Sequence, residues 1–424
     1  FRRVLFRSAI TTLDASTFSG NLDVTLGVDA LDANITIKGG ALTTDKVTTI
    51  VSTNTTGEVV KVMTGVETLV LNSTDTDTNA VIDLTNVTGL VTLDAKFLTN
   101  TTADQISVTG LAAGVNVKTT TTQTADNLVL ALVDSSGSTD TINLEITDID
   151  TASDVLNLDI AGIEVLNITN KETAIVNVDL AGVNATGSGA VALTLLGSGP
   201  TDLDSVNAEI TSIDGSTATG NIIINSTSVT TASNIKTGTG ADTIIMAHKD
   251  DVIDANTGAD SLVVNFTSVI GGMAIDLSAT GDQIATFNGA ANAASQSGFQ
   301  HADLSGYAGN GAEITAHASG STIVGTALVD SITGGIAADT ITGGVGADVM
   351  NISTSTALRD TITIAAGDST ATTGGSNNAG TYSGIDVITG LNTGTTALLK
   401  DEVNVSGTGA IVAAAVDQDR KSVV

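Results

Sequence analysis

The chain has no cysteine and no tryptophan, a single proline (Pro200), and only two tyrosines and seven phenylalanines in 424 residues. Without cysteine there is no disulfide framework. That does not argue against export, because a bound metal can do the stapling instead. So few aromatics argue against a glycosidase, whose cleft is usually lined with rings for sugar stacking. No uninterrupted apolar run reaches about 18 residues, so no helical membrane span is predicted. Basic residues are scarce, 15 against 46 acidic, and the formal net charge is −31. Such a chain repels nucleic-acid phosphates and anionic membranes and attracts cations. It also repels itself, so its folding should gain from bound metal. Catalytic signatures are missing as well: there is no Gly-x-Ser-x-Gly elbow, no His-Glu-x-x-His and no Walker A loop. His248, His301 and His317 stand isolated in polar stretches and read as surface or turn residues. No catalytic residue is predicted, and the chain is not expected to be an enzyme.

What is present is apolar and periodic. Hydrophobic residues make up 41% of the chain and mean hydropathy is +0.30, which sets it apart from an acidic disordered segment. The apolar residues are mostly Val, Ile, Leu and Ala, a composition suited to stacked ladders of like side chains. Ile142, Leu144 and Ile146 alternate with Thr141, Asn143, Glu145 and Thr147; Leu156, Leu158 and Ile160 alternate with Asn157 and Asp159; Val176, Val178 and Leu180 repeat the pattern. Period two with β-branched residues predicts strands with one face on a core and one in water. The best helix signal is the Ala-rich stretch 285–297, weakened by Gly289 and its asparagines.

The ends read differently. Residues 1–8 and 419–424 match translated sequencing-adapter DNA, which predicts a fragment assembled from environmental reads. Setting them aside removes five basic residues and one acidic one, taking the net charge from −31 to −35. Between them, internal repeats divide the chain. Asp-x-Ser-x-x-x-Gly-Asn occurs at Asp14, Asp214 and Asp303, and Gly65-Val66-Glu67-Thr68-Leu69 is echoed by Gly162-Ile163-Glu164-Val165-Leu166. The predicted organisation is a repetitive strand region over 9–200, a β module over 201–300 and a second β module over 301–418.

Each module carries a block of nine-residue repeats, over 237–263 and 325–351. Asp242, Asp251 and Asp260 are spaced by nine, as are Ile244, Ile253 and Leu262. Asp330, Asp339 and Asp348 follow the same rule with Ile332, Ile341 and Met350. In each nine, a Gly-rich turn ends in Asp and a short strand turns one apolar residue inward two positions later. Successive nines then form opposite sides of a flattened coil, and residues eighteen apart stack on one side. That sets Asp242 over Asp260 and Asp330 over Asp348, about 4.8 Å apart. Unpaired carboxylates at that distance repel, and a hard divalent cation between turns would relieve them while taking backbone carbonyls as further ligands. The alternative reading is that each Asp caps backbone N–H groups without metal.

Gly343-Gly344-Val345-Gly346-Ala347-Asp348-Val349-Met350-Asn351 resembles the RTX calcium repeat GGxGxDxUx. Thr237-Gly238-Thr239-Gly240-Ala241-Asp242 resembles it less fully, and Gly334-Gly335-Ile336-Ala337-Ala338-Asp339 keeps the first glycines and the Asp. The resemblance implies a parallel β-roll with Ca2+ in its turns, type I secretion from Gram-negative bacteria and folding triggered by calcium outside the cell. The metal residues it suggests are Asp242, Asp260, Asp330, Asp339 and Asp348, with Gly238, Gly240, Gly258, Gly334, Gly343, Gly344 and Gly346 shaping the turns. Departures occur at 246–251, which lost its glycines and gained Lys249, and at 325–330, which lost two, so a few sites are expected instead of a full ladder. Thr64–Asn72 and Val87–Asp94 are similar to the Thr/Ala/Gly/Asn-rich strands of RTX-secreted S-layer proteins.

The fold expected is all-β: an elongated repetitive β-solenoid or β-sandwich-like array with short parallel β-roll segments. The expected function is a secreted, calcium-ordered structural protein of a bacterial surface layer, partnered by copies of itself and by cell-surface polysaccharide. Two alternatives remain open, an adhesin binding glycan or a host surface, and a calcium-binding accessory region of a secreted hydrolase.

Overall fold

Alternating β-branched residues separated by Gly, Asn, Asp and Ser leave the backbone little choice but short strands joined by tight turns. The computed structural model describes residues 3–5, 11–28, 30–31, 35–52, 58–73, 79–97, 104–120, 126–147, 155–185, 189–225, 232–352, 358–365, 367–368, 386–391, 401–405 and 422–423. Among them there is no helix, and no helix long and apolar enough to cross a membrane. Of the two suspected adapter ends, Arg3–Leu5 and Ser422–Val423 are strands and the rest lies outside the described residues. The chain forms an all-β parallel solenoid in two compact units, Phe1–Thr231 and Ala232–Val424. Thr201–Val206 and Ile210–Asp214, assigned from sequence to the following module, pair with strands of the first unit.

In the first unit the chain passes alternately through parallel sheets. Lys46–Val51, Thr68–Ser73, Thr92–Phe97 and Asn116–Thr120 are successive neighbours in one; Asn79–Asp83, Gln105–Leu111, Asp126–Leu132 and Val155–Ala161 are neighbours in another. A third, short sheet stacks Thr12–Asp14, Thr36–Lys38, Val62–Thr64 and Val87–Thr88. Register keeps like residues in line. Val24, Val47, Leu69, Leu93, Val117, Leu144, Ile168 and Leu195 form one continuous inward row, each at most 2% exposed. A parallel sheet usually needs cover on both faces. Here the coil closes on itself, so alternate Thr, Asn, Lys and Asp residues can face water.

In the second unit the coil tightens to eighteen residues. Asn234 pairs with Val252, Thr243 with Ser261, Thr322 with Thr340, and Glu313 with Ser331, which in turn pairs with Val349. The three-residue strands of the nine-residue repeats each contribute a single inward apolar residue, and four-residue strands such as Thr243–Met246 and Ser261–Val264 contribute two. Ile244, Leu262, Ala302, Ile323, Ile341 and Ile362 make one buried row; Ile275, Ile314, Ile332, Met350 and Ile388 make the facing one.

The segment between the two blocks interrupts this economy. The Ala-rich stretch holding the best helix signal is strand: Met273–Asp276 and Ile284–Phe287 pair antiparallel, followed by Ala290–Ala291 and Gln296–Ser297. Asn288 at φ 52° and Gly289 at φ 75° make the reversal, which a helix would not tolerate. Aromatics gather here. Phe287 lies edge-on to Phe266 at 4.8 Å and to Tyr307 at 5.8 Å. Tyr307 is 1% exposed, and its hydroxyl donates to Gly271 O at 2.8 Å and accepts the Asn288 N–H at 3.2 Å. Tyr307→Ala is expected to destabilise this unit by about 3–5 kcal/mol, by analogy with other buried rings. Urea unfolding checks it, and a loss under about 1 kcal/mol would deny the cluster its structural role.

Candidate cation-binding turns

The turns before the short strands share one device. A carboxylate reaches down to accept the backbone N–H of the corresponding residue in the preceding coil. Asp348 Oδ1 accepts from Asp330 N at 2.8 Å, and Asp386 Oδ1 from Asp348 N at 3.0 Å. On the opposite edge Asp339 accepts from Ser321 N, Asp360 from Asp339 N and Asp401 from Asp360 N, at 2.8–3.0 Å. In the first block Asp260 Oδ1 accepts from Asp242 N at 2.9 Å. The first unit does the same with Asp45 on Leu22 N, Glu67 on Asp45 N and Glu164 on Asp140 N. One oxygen of each of these carboxylates is thus a structural cap, as the metal-free reading of the turns expects.

The second oxygen divides the turns into two kinds. In one kind the turn's own backbone satisfies it: Thr326 N donates to Asp330 Oδ2 at 2.7 Å, Gly335 N to Asp339 Oδ2 at 2.7 Å and His248 N to Asp251 Oδ2 at 2.9 Å, as Gly40 N does to Asp45 Oδ2 in the first unit. The Thr326 hydroxyl adds a further bond to Asp330. At Asp260 and Asp348 it is otherwise. Both residues are 0% exposed, and in each the Oδ2 atom is buried with no hydrogen-bond partner. Leaving a carboxylate oxygen dry and unbonded is expensive, so something is wanted there.

The difference tracks the residue two positions before the Asp. It is Gly258 before Asp260 and Gly346 before Asp348, but Leu328, Ala337 and Lys249 in the satisfied turns. These glycines let the backbone press against the turn below. A Cβ on Gly258 would collide with Gly240 O and stand 2.6 Å from Asp260 Oδ1; one on Gly346 would stand 2.6 Å from Leu328 O and 2.9 Å from Asp348 Oδ1. Gly344, at φ 98°, is packed as tightly against Thr326 O, and Gly343 against Asp348 Oδ2. Gly238 O receives Thr257 N at 3.5 Å, which ties the two turns of the first block together. Gly334 sits in the Asp339 turn with its N–H on Asn351 O at 2.9 Å. At these glycines a side chain would collide with the carbonyl or the carboxylate of the stacked turns.

Burial raises the carboxyl groups accordingly. Asp260 is pushed up to about 7 by burial, against the pull of the Asp242 N–H bond, with the charge of Asp242 adding a smaller rise. Asp348 is also pushed up to about 7 by burial, then by the charges of Asp330, Asp386 and Asp368. Asp330, Asp339 and Asp251 are raised by burial too, and each has two or more backbone N–H bonds pulling the other way where Asp260 and Asp348 have one.

The donors at these turns are all oxygen, the set a hard cation such as Ca2+ or Mg2+ prefers. Among the described residues no group of three or more His, Cys, Asp or Glu side chains is arranged to hold a metal, so a cation here would draw most of its ligands from backbone carbonyls. Two histidines serve turns, His248 Nδ1 accepting Asp250 N at 3.2 Å and His317 Nδ1 accepting Ser319 N at 3.1 Å, while His301 Nδ1 accepts Thr322 N of the neighbouring strand at 2.8 Å. Sequence reasoning missed Asp360, Asp386 and Asp401 as members of the ladder. Insertions put them 21, 38 and 41 residues beyond their partners, out of phase with the nines. Their signal was Asp two before an inward apolar residue, as in Asp360-Thr361-Ile362 and Asp386-Val387-Ile388. Searches of protein-family models, curated proteins and solved structures return no match for this chain.

Proposed function

We propose that this chain is a calcium-ordered structural protein of the extracellular surface, a β-solenoid of the RTX surface-layer kind that builds arrays and does not catalyse. One observation carries the calcium part: the buried, unbonded Oδ2 atoms of Asp260 and Asp348, in turns that Gly258 and Gly346 let close on the Gly240 and Leu328 carbonyls of the turn below. Ca2+ would be held by those two carboxylates and by carbonyls of the turns around Gly240 and Leu328. What it supplies is charge compensation for a chain of net charge −31 and a clamp between neighbouring coils. Secretion and the surface-layer assignment rest on the resemblance of the repeats and on the long, repetitive, cysteine-free β chain.

Calcium titration followed by far-UV circular dichroism, thermal unfolding and light scattering tests it. Extracellular calcium modules bind at about 0.1–1 mM. At tenfold excess over its dissociation constant each site should add about 1.4 kcal/mol. Melting temperature and scattering should rise together as coils order and copies assemble. An unchanged melting temperature through that range ends the calcium reading; ordering without any scattering change ends the array.

A further inference from the structure

The two turns with a dry carboxylate oxygen differ in what lies above and below them. Asp348 is flanked by carboxylates on both sides: its Oδ1 binds the Asp330 N–H below, and its own N–H is bound by Asp386 above. Asp368 belongs to the turn stacked above and accepts the Gly346 N–H on its backbone carbonyl at 2.9 Å. Asp330, Asp368 and Asp386 are all at most 8% exposed. Asp260 has a carboxylate on one side only. Below it lies Asp242, but above it the ladder position is Gln300, whose Oε1 accepts the Asp260 N–H at 2.6 Å while its Nε2 donates to Gly298 O at 2.8 Å. The same bond is made by a carboxylate at Glu67 and Glu164, so the position requires an acceptor but not a charged one.

Resting on the calcium reading, we infer that the two blocks fill in order, the Asp348 turn first and the Asp260 turn last, and that Gln300 sets the gap between them. Cation affinity in oxygen sites rises with the count of ligand charges nearby. Three buried aspartates, Asp330, Asp368 and Asp386, stack on the Asp348 turn and one, Asp242, on Asp260, and Gln300 is the neutral residue that holds the first block to that lower count. A chain so built would stiffen in two steps as external calcium rises.

Isothermal titration of the full chain with CaCl2 tests this. Two classes of site are expected: Asp348→Asn should delete the tighter and Asp260→Asn the weaker. Gln300→Glu should tighten the weaker class by about tenfold and leave the other alone. Asp386→Asn, which keeps the oxygen that caps Asp348 N, should weaken the tighter class by a similar factor. A single class of sites, a reversed assignment, or no response of the weaker class to a folded Gln300→Glu overturns the ordering while leaving calcium binding intact. Absence of any binding overturns both.

Discussion

Asp348→Asn and Asp339→Asn, alike on paper, are expected to have opposite consequences. In chelator at pH 8, Asp348→Asn should melt no lower than the parent, because Asn keeps an oxygen for the Asp330 N–H and exchanges a dry, buried carboxylate oxygen for a neutral NH2. In millimolar calcium it should lose most of the rise the parent shows. Asp339→Asn should cost about 1–3 kcal/mol with or without calcium. Its second oxygen already accepts the Gly335 N–H at 2.7 Å, and an NH2 there would set donor against donor. Thermal unfolding of the two variants and the parent, each with chelator and with calcium, decides it. The division of turns into capped and cation-ready kinds fails if both variants lose the calcium response equally, or if Asp348→Asn is the one that collapses in chelator.

Metal-free stability should fall as pH rises from about 4 to about 7, and calcium should reverse the trend. Asp260 and Asp348 are ordinary carboxyls near 3.8 when unfolded and are pushed up to about 7 when folded. Between those values the folded chain holds protons that the unfolded chain has released. Their contribution is therefore complete below pH 4, is lost as pH climbs through 7, and is flat above. Calcium competes with those same protons, so its benefit grows over the window in which the metal-free chain weakens. Melting curves from pH 4 to pH 8 in chelator, repeated with Asp260→Asn/Asp348→Asn, give the test. The double variant should show a much flatter slope. If it keeps the parent's slope, general repulsion among the surplus carboxylates is responsible and these two are not.

Much of this was legible because a solenoid is nearly one-dimensional. A short strand needs only an inward residue such as Ile244, Ile253 or Leu262 at the right interval, and the interval of nine specifies the eighteen-residue register seen between Thr243 and Ser261 and between Ser331 and Val349. Where insertions break the interval, as between Asp348 and Asp386, the period says nothing although the fold continues unchanged. The stretch 285–297 went the other way. Its alanines favour a helix locally, but Asn288 and Gly289 take left-handed backbone and Phe287 is drawn into the aromatic cluster, so tertiary packing prevails over propensity.

The sequence alone determined the all-β class, the stacking of Asp242 on Asp260 and of Asp330 on Asp348, and the acidic, cysteine-free character that makes a cation a sensible staple. These follow from period and composition, which any contiguous stretch displays. Only the tertiary structure decided which aspartates are already satisfied. Asp330 and Asp348 share their spacing and each precedes an inward apolar residue by two, yet Thr326 N donates to Asp330 Oδ2 while the glycine turn of Asp348 brings no N–H to its Oδ2. That choice depends on which N–H groups a turn brings within reach of a carboxylate, a matter of a few ångströms across two coils that no linear pattern records.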